Sequence, residues 1–203
     1  MPDTRDRLVE TSATLLQRQG LTGTGIKQIL TEAGAPYSSL YHHFPGGKDE
    51  LADVAIRASG ARFQALVEAV WDEAPDVVSA VAAVFEGAAQ TLESTDFAVA
   101  CPIATVALEV ASTNERLRVA TAEVFEAWIE SGTRRLETQR VSPRDARMLA
   151  LTLISLLEGA FVLSQALKST EPVVAAGAAA TLAVERALGS SAPRPTRSNT
   201  LEP

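Results

Sequence analysis

Apolar residues recur at intervals of three and four along most of this chain, and the alternation that marks a β-strand is nearly absent. In 26–33, Ile26, Ile29, Leu30 and Ala33 fall at i, i+3, i+4 and i+7, which makes one apolar helical face. Gly34 follows, and a helix that ends in the left-handed conformation ends most cheaply on glycine. Ala35 and Pro36 make a turn. A second short helix then has Leu40, Tyr41 and Phe44 as its inward side, and Pro45, Gly46 and Gly47 stop it. Tyr37, Ser38, Ser39, His42 and His43 are left facing outward. Two short helices about a glycine-containing turn read as a helix-turn-helix, the unit whose second helix enters the DNA major groove.

The same periodicity predicts a first helix from about Thr4 to Arg18, with Leu8, Leu15 and Leu16 inward and Gly20 closing it. Thr22 or Thr24 is placed to cap the helix that follows. A fourth helix starts near Lys48, carries Leu51, Val54, Ala55 and Ala58 on one face, and meets no breaker until Pro75. Pro75 sits at the first position of a fifth, with Val77, Val81, Val84, Phe85, Ala88 and Leu92 together. Residues 94–101 read as a loop and Pro102 starts a sixth helix. Ser112 and Glu115 form a capping box for a seventh, whose apolar side is Leu117, Val124, Phe125, Trp128 and Leu136. Ser142-Pro143 opens an eighth and Glu171-Pro172 a ninth, ending at Gly189. The expectation is an all-α chain of about nine helices, with a helix-turn-helix unit over 1–47, a helical body over 48–189 and a polar, proline-containing disordered tail over 190–203.

At 203 residues and 46% apolar, the chain can bury a substantial core. No uninterrupted apolar stretch approaches the roughly 18 residues of a membrane span. The charged N-terminus lacks a signal-peptide pattern, and one cysteine, Cys101, excludes an intrachain disulfide. A cytoplasmic location is the simplest reading. The net charge is −7, of which 1–57 carry only −1, from six basic and seven acidic side chains. A DNA contact would then rely on a few placed cations, helix N-termini and hydroxyls rather than a broad basic field.

Gly34, the string Leu40-Tyr41-His42-His43-Phe44-Pro45 and the following Lys48-Asp49-Glu50-Leu51 closely resemble the signature of TetR-family transcriptional repressors over residues 4–57. Cys101-Pro102-Ile103-Ala104 before Val106-Ala107-Leu108-Glu109 more loosely resembles the LmrA and YxaF branch. The resemblance implies three N-terminal helices for DNA and six more for a ligand cavity and a dimer interface. It implies a DNA face of Thr24, Lys27, Pro36, Tyr37, Ser38 and Ser39, with Tyr41, His42, His43 and Lys48 toward phosphates. Tyr37 departs from the small or basic residue common at that place, so it reads either as a base contact or as a packing aromatic. His42 either packs or touches the backbone.

In the body, Phe85, Cys101, Val106, Phe125, Trp128 and Phe161 are candidates to line a cavity for a lipophilic ligand, against the plainer reading of core residues. Glu158 interrupts the apolar run Leu149–Leu163, either as a counter-charge for a cationic effector or as a hydrogen-bonded structural glutamate. Cys101 reads as a buried thiol before a redox sensor, since no flanking cation lowers its pKa. That apolar run, with Ser155 and Gly159 four apart, suits a homodimer through the eighth and ninth helices. The expected partners are double-stranded operator DNA, a small lipophilic effector and a second copy of the chain, with no membrane.

Neighbouring His42 and His43 point about 100° apart and do not share a metal ion. No phosphate loop, metal cluster or nucleophile–base pair stands out, so no cofactor, metal or catalytic residue is expected. The competing non-enzymatic reading is a helical small-molecule-binding protein without DNA-binding function.

Overall fold

The computed structural model describes residues 3–99 and 101–190. From residue 191 on, the tail expected to be disordered lies outside them. Nine helices, and no strand, are found among the described residues: α1 (Thr4–Gly23), α2 (Ile26–Glu32), α3 (Tyr37–His43), α4 (Gly47–Glu73), α5 (Val77–Ser94), α6 (Ala104–Val110), α7 (Glu115–Thr138), α8 (Pro143–Leu167) and α9 (Glu171–Ser190).

The local signals act as expected where a glycine or an N-cap decides the matter. Gly34 has φ +60°, the Gly34 N–H donates to the Thr31 carbonyl at 3.2 Å, and the Ala35 N–H reaches back to Leu30 at 2.9 Å. This pair of bonds satisfies carbonyls that the end of α2 would otherwise leave open. Ser142 caps α8 and Pro143 takes its first turn. Gly20, at φ 70° and ψ −175°, breaks α1 one turn before its end.

Four starts differ from the sequence reading. Thr24 does not cap α2: it is fully buried and donates its hydroxyl to the Gly20 carbonyl at 2.6 Å, while Gly25 precedes α2 without a side-chain cap. Pro75 lies before the cap, because Asp76 accepts from the Ser79 N–H at 2.8 Å. Asn114 instead of Ser112 caps α7, accepting from Leu117 at 3.2 Å. α6 begins at Ala104, two residues past Pro102. At α5 and α7 a side-chain oxygen that pairs with an orphan N–H outcompetes the weaker signal nearby.

α1 packs on α4 and α6, with α2 and α3 against it, while α4 also packs on α5 and α7. α7 carries α8, and α9 closes over α5 and α8. One continuous apolar cluster runs from Leu8 to Val184 through all of them. α8 and α9 are long and apolar enough by composition to cross a membrane. Each nevertheless has two faces. Leu149, Leu157, Phe161, Val173, Ala180 and Val184 are buried, whereas Met148, Leu151, Val162, Leu163, Val174 and Leu182 are exposed.

Gly34→Ala is expected to lower stability by about 1 kcal/mol, since a Cβ in the left-handed region is strained while nothing crowds the site. Urea unfolding measures it, and an unchanged midpoint would contradict the role given to this turn.

Candidate functional site

Helix α3 is short and sits on two buried side chains, Leu40 and Phe44. Tyr41 is not part of that inner face as expected. It is 45% exposed, and its ring lies 5.6 Å from that of Tyr37, which is 63% exposed. The two tyrosines are four residues apart and form one ridge on the outer face. A hydrogen bond with the Tyr37 hydroxyl raises the Tyr41 phenol above its ordinary value. Ser38 and His42 form the neighbouring exposed row, and Ser39 and His43 are half-buried beside it. Pro36 is exposed at the N-cap of α3, and Lys27 is exposed on α2.

Two expected members of this face are placed differently. Thr24 is withdrawn into the interior, as described above. Lys48 is half-buried and donates to the Leu21 carbonyl at 2.6 Å, so one of its three N–H bonds ties the start of α4 to the end of α1. The His42 and His43 rings meet edge-on at 4.8 Å. Among the described residues no group of three or more His, Cys, Asp or Glu side chains is arranged to hold a metal.

In the body, α4, α5, α7 and α8 line a partly open cavity of about 110 Å³. Its walls are aromatic and aliphatic: Phe63, Val67 and Trp71 from α4, Val81, Val84 and Phe85 from α5, Trp128 from α7, and Leu153, Ile154 and Leu157 from α8. Phe63 and Trp128 lie 4.8 Å apart, and the Trp128 indole N–H donates to the Gly60 carbonyl at 3.0 Å. One end is polar. Ser131 and Gln64 donate to Glu68 at 2.6 and 2.9 Å, and these bonds hold its carboxyl below the ordinary value. Arg135 lies over the Trp71 ring and donates to Asp72 at 2.7 Å.

Of the candidate lining residues, Phe85 and Trp128 reach this cavity. Cys101, Val106, Phe125, Glu158 and Phe161 do not line it. Phe125 stands behind Trp128, edge to face at 5.4 Å, and Val106 and Phe161 are buried core. The sequence reading missed Glu68, Gln64, Ser131 and Arg135, and did not single out Phe63 and Trp71 among the aromatics of the body. Their signal was the spacing Phe63, Val67, Trp71, four apart on the second half of α4.

Cys101 and Glu158 form a separate buried place. The Cys101 sulfur accepts from the Ile103 and Ala104 N–H groups, each at 3.4 Å, at the start of α6. Burial pushes the thiol well above its usual range, and the nearby Glu158 carboxylate pushes it further, so it stays protonated at neutral pH. Glu158 Oε2 is buried without a hydrogen-bond partner. Burial pushes the Glu158 carboxyl up to about 7, with Cys101 acting the other way. Glu158 is thus neither a wall of the cavity nor a fully hydrogen-bonded structural carboxylate.

The folded chain therefore holds the Glu158 proton over a range where the unfolded chain has lost it. The contribution of Glu158 to stability is fully present below the unfolded value of 4.5 and is lost as pH rises through about 7. Glu158→Gln has no such proton to lose. Its stability relative to wild type is expected to grow by about 3 kcal/mol between acid and mildly alkaline pH, read from urea unfolding at a series of pH values. Parallel pH profiles for the two proteins would contradict the buried placement.

Comparison with known proteins bears on both places. The profile of bacterial regulatory proteins of the tetR family matches residues 8–55. That of the C-terminal domain of LmrA/YxaF-like transcriptional regulators matches 77–179. The uncharacterized HTH-type transcriptional regulator YxaF of Bacillus subtilis is 33% identical over 172 residues, covering 85% of this chain and 90% of its own. The HTH-type transcriptional regulator LmrA of the same organism is 28% identical over 172 residues, covering 85% and 92%. Among solved structures, a TetR transcriptional regulator from Chloroflexus aurantiacus superposes with TM-score 0.75 at 26% identity, covering 90% of this chain and 94% of that one. The reduced form of E. coli NemR superposes with TM-score 0.76 at 23% identity, over 87% and 95%, a likeness of fold.

Proposed function

Because the chain belongs to the TetR family of bacterial transcriptional regulators, we propose that it is a ligand-responsive repressor. It binds a palindromic operator as a homodimer and leaves it when a small lipophilic molecule fills the cavity in its body. The observation that carries the reading is the division of α3. Leu40 and Phe44 anchor the helix, while Tyr37, Ser38, Tyr41 and His42 project as a free ridge. Hydroxyl, imidazole and aromatic groups on a helix of this motif suit base edges and phosphates. In this reading residues 1–47 form the DNA-reading head and 48–189 the body, and the protein works in the cytoplasm, where the chromosome is.

The effector is lipophilic and aromatic, and neutral or cationic in preference to anionic. The tilted pair of Phe63 and Trp128 offers apolar ring area, and the Glu68 carboxylate offers an acceptor at one end, where the Arg135 cation is paired with Asp72. A ligand weakens DNA binding only if it prefers the dimer whose heads are badly spaced. α4 suits that lever, since its first half packs on α1 and its second half walls the cavity.

DNA upstream of the protein's own gene should shift in a gel with the wild-type protein. Tyr37→Ala is expected to change which operator bases matter. Lys27→Ala is expected to weaken binding to all sequences and reduce the salt slope by about one. Equal loss at every operator base for Tyr37→Ala would remove it from base reading, and no shift with upstream DNA or a randomised duplex pool would overturn the reading itself.

The dimer is proposed through α8 and α9, whose outer faces expose Met148, Leu151, Val162, Val174 and Leu182. Gly159 is exposed, and a Cβ there meets nothing within 4 Å in the isolated chain. Gly159→Leu is therefore expected to leave the monomer fold intact and to push the partner away. Sedimentation should show a wild-type dimer and a weakened variant, and a monomeric wild type at micromolar concentration would sink this interface.

A further inference from the structure

We propose that Glu109 of α6 is a positioning residue for DNA reading, whose carboxylate clasps the end of α1 and sets the angle at which the reading head leaves the body. The Leu21 N–H donates to Oε1 at 3.1 Å and the Thr22 N–H to Oε2 at 2.8 Å. Both bonds join residues nearly ninety positions apart, and hydrogen bonds to a charged acceptor are stronger than neutral ones. The carboxylate fits because residue 20 is glycine. A Cβ there would lie 1.6 Å from Glu109 Oε1, and the backbone has φ +70°. The notch in α1 is thus shaped for a side chain of the body.

The same peptide is gripped from a second side. The Leu21 carbonyl accepts from Lys48 of α4 at 2.6 Å, and the Thr24 hydroxyl closes on the Gly20 carbonyl. Gly25 then leads directly into α2. α6 itself is seated in the body through the buried Ile103, Val106 and Val110. The position of α6 therefore reaches the end of α1, next to the helix-turn-helix, through this carboxylate as well as through the packing of α6 on α1. Burial of Leu8, Leu16 and Ile56 keeps α1 on α4 whether or not the clasp is made. What the clasp adds is direction at the junction, in a place where Thr22 is exposed and burial contributes little.

The inference rests on the proposed binding to two half-sites, and half-site spacing tests it, because two heads held at a fixed angle tolerate one separation. The full-length protein selects its operator from a randomised duplex pool. Affinity is then measured by fluorescence anisotropy for that operator and for versions with one or two base pairs inserted at its centre. Wild type is expected to bind the lengthened sites about tenfold or more weakly, within the usual scale of coupling between sites. Glu109→Ala is expected to bind the original site less tightly and the lengthened sites nearly as well as the original.

Hydrogen exchange should show faster exchange at Leu21 and Thr22, with residues 51–56 of α4 still protected, which establishes that the variant is folded. Glu109→Gln keeps the shape and one acceptor oxygen, and should give an intermediate spacing penalty. If Glu109→Ala does not fold, this second variant decides the matter in the same assay. A folded variant that keeps the full wild-type spacing penalty overturns the clasp. A wild type indifferent to spacing overturns the two-half-site reading, and the clasp as a spacing device with it.

Discussion

The approach of α4 to α7 at Gly60 is the contact around which the rest of the molecule is arranged. A Cβ at position 60 would stand 2.3 Å from a Val124 methyl, so only glycine lets the two helices come this near. The Trp128 indole then donates to the Gly60 carbonyl, using the second lone pair of a mid-helix acceptor. Removing a buried partner of this kind costs about 1–3 kcal/mol. On one side of this point, α4 contributes Leu51, Ala52, Ala55 and Ile56 to the core it shares with α1. On the other, it contributes Phe63, Val67 and Trp71 to the cavity wall. The two regions meet on one helix because nothing bulkier than hydrogen stands at its midpoint.

Polar bonds flank that dry contact along its length. Asn114 donates to Asp49, Arg116 to Asp53, Arg57 of α4 to Glu123, Ser131 to Glu68 and Arg135 to Asp72. Partner numbers rise together on both helices, so α4 and α7 run side by side in the same direction. Asp53 is the most enclosed of the ion-paired acids, with its side chain 16% exposed. Burial pushes its carboxyl up, and the hydrogen bonds from Arg57 and Arg116 outweigh that and hold it below its usual value. The remaining ion pairs are open to water, which screens them. They set register more than they supply strength. The Gly60 contact and the continuous apolar cluster keep the helices together.

This balance explains what could be read from the sequence and what could not. Helical periodicity is local, and it located each of the helices in the described chain. Gly34 was legible because a single φ requirement dictates the residue. Caps were less so: Asp76 and Asn114 compete over a few residues with Pro75 and Ser112, and only the folded backbone decides which oxygen faces an orphan N–H. The outer ridge of α3 was legible through the family signature, which put Tyr41 outside, whereas helical periodicity alone turned it inward; its ring lies exposed alongside Tyr37. Thr24 showed the opposite error, a polar residue buried because the Gly20 carbonyl accepts its hydroxyl. The cavity was least legible. Its wall comes from four helices, and an aromatic at helical spacing looks the same whether it faces a void or a neighbour. Phe85 and Trp128 could be named, but Glu68 and Arg135 acquire meaning only when α4 and α7 are set side by side.

Charge placement then bears on how DNA is held. The first 57 residues carry a net −1 of the chain's −7, and several of their cations are committed to the fold. Arg7 donates to the Ala33 carbonyl at the end of α2, Arg5 lies over the Phe44 ring, Lys48 grips Leu21, and Arg57 pairs with Asp53. Little basic charge is left for indiscriminate attraction to phosphate, which is the usual source of non-specific affinity. The acidic body repels DNA that does not seat the recognition helix. In the proposed reading, discrimination then falls to the ridge on α3 and to the geometry that presents it. That geometry is set where α1, α4 and α6 converge, at the peptide held by Lys48 on its carbonyl and by Glu109 on its N–H. A chain poor in basic surface thus depends more heavily on the accuracy of its junction, because placement has to supply what long-range attraction does not.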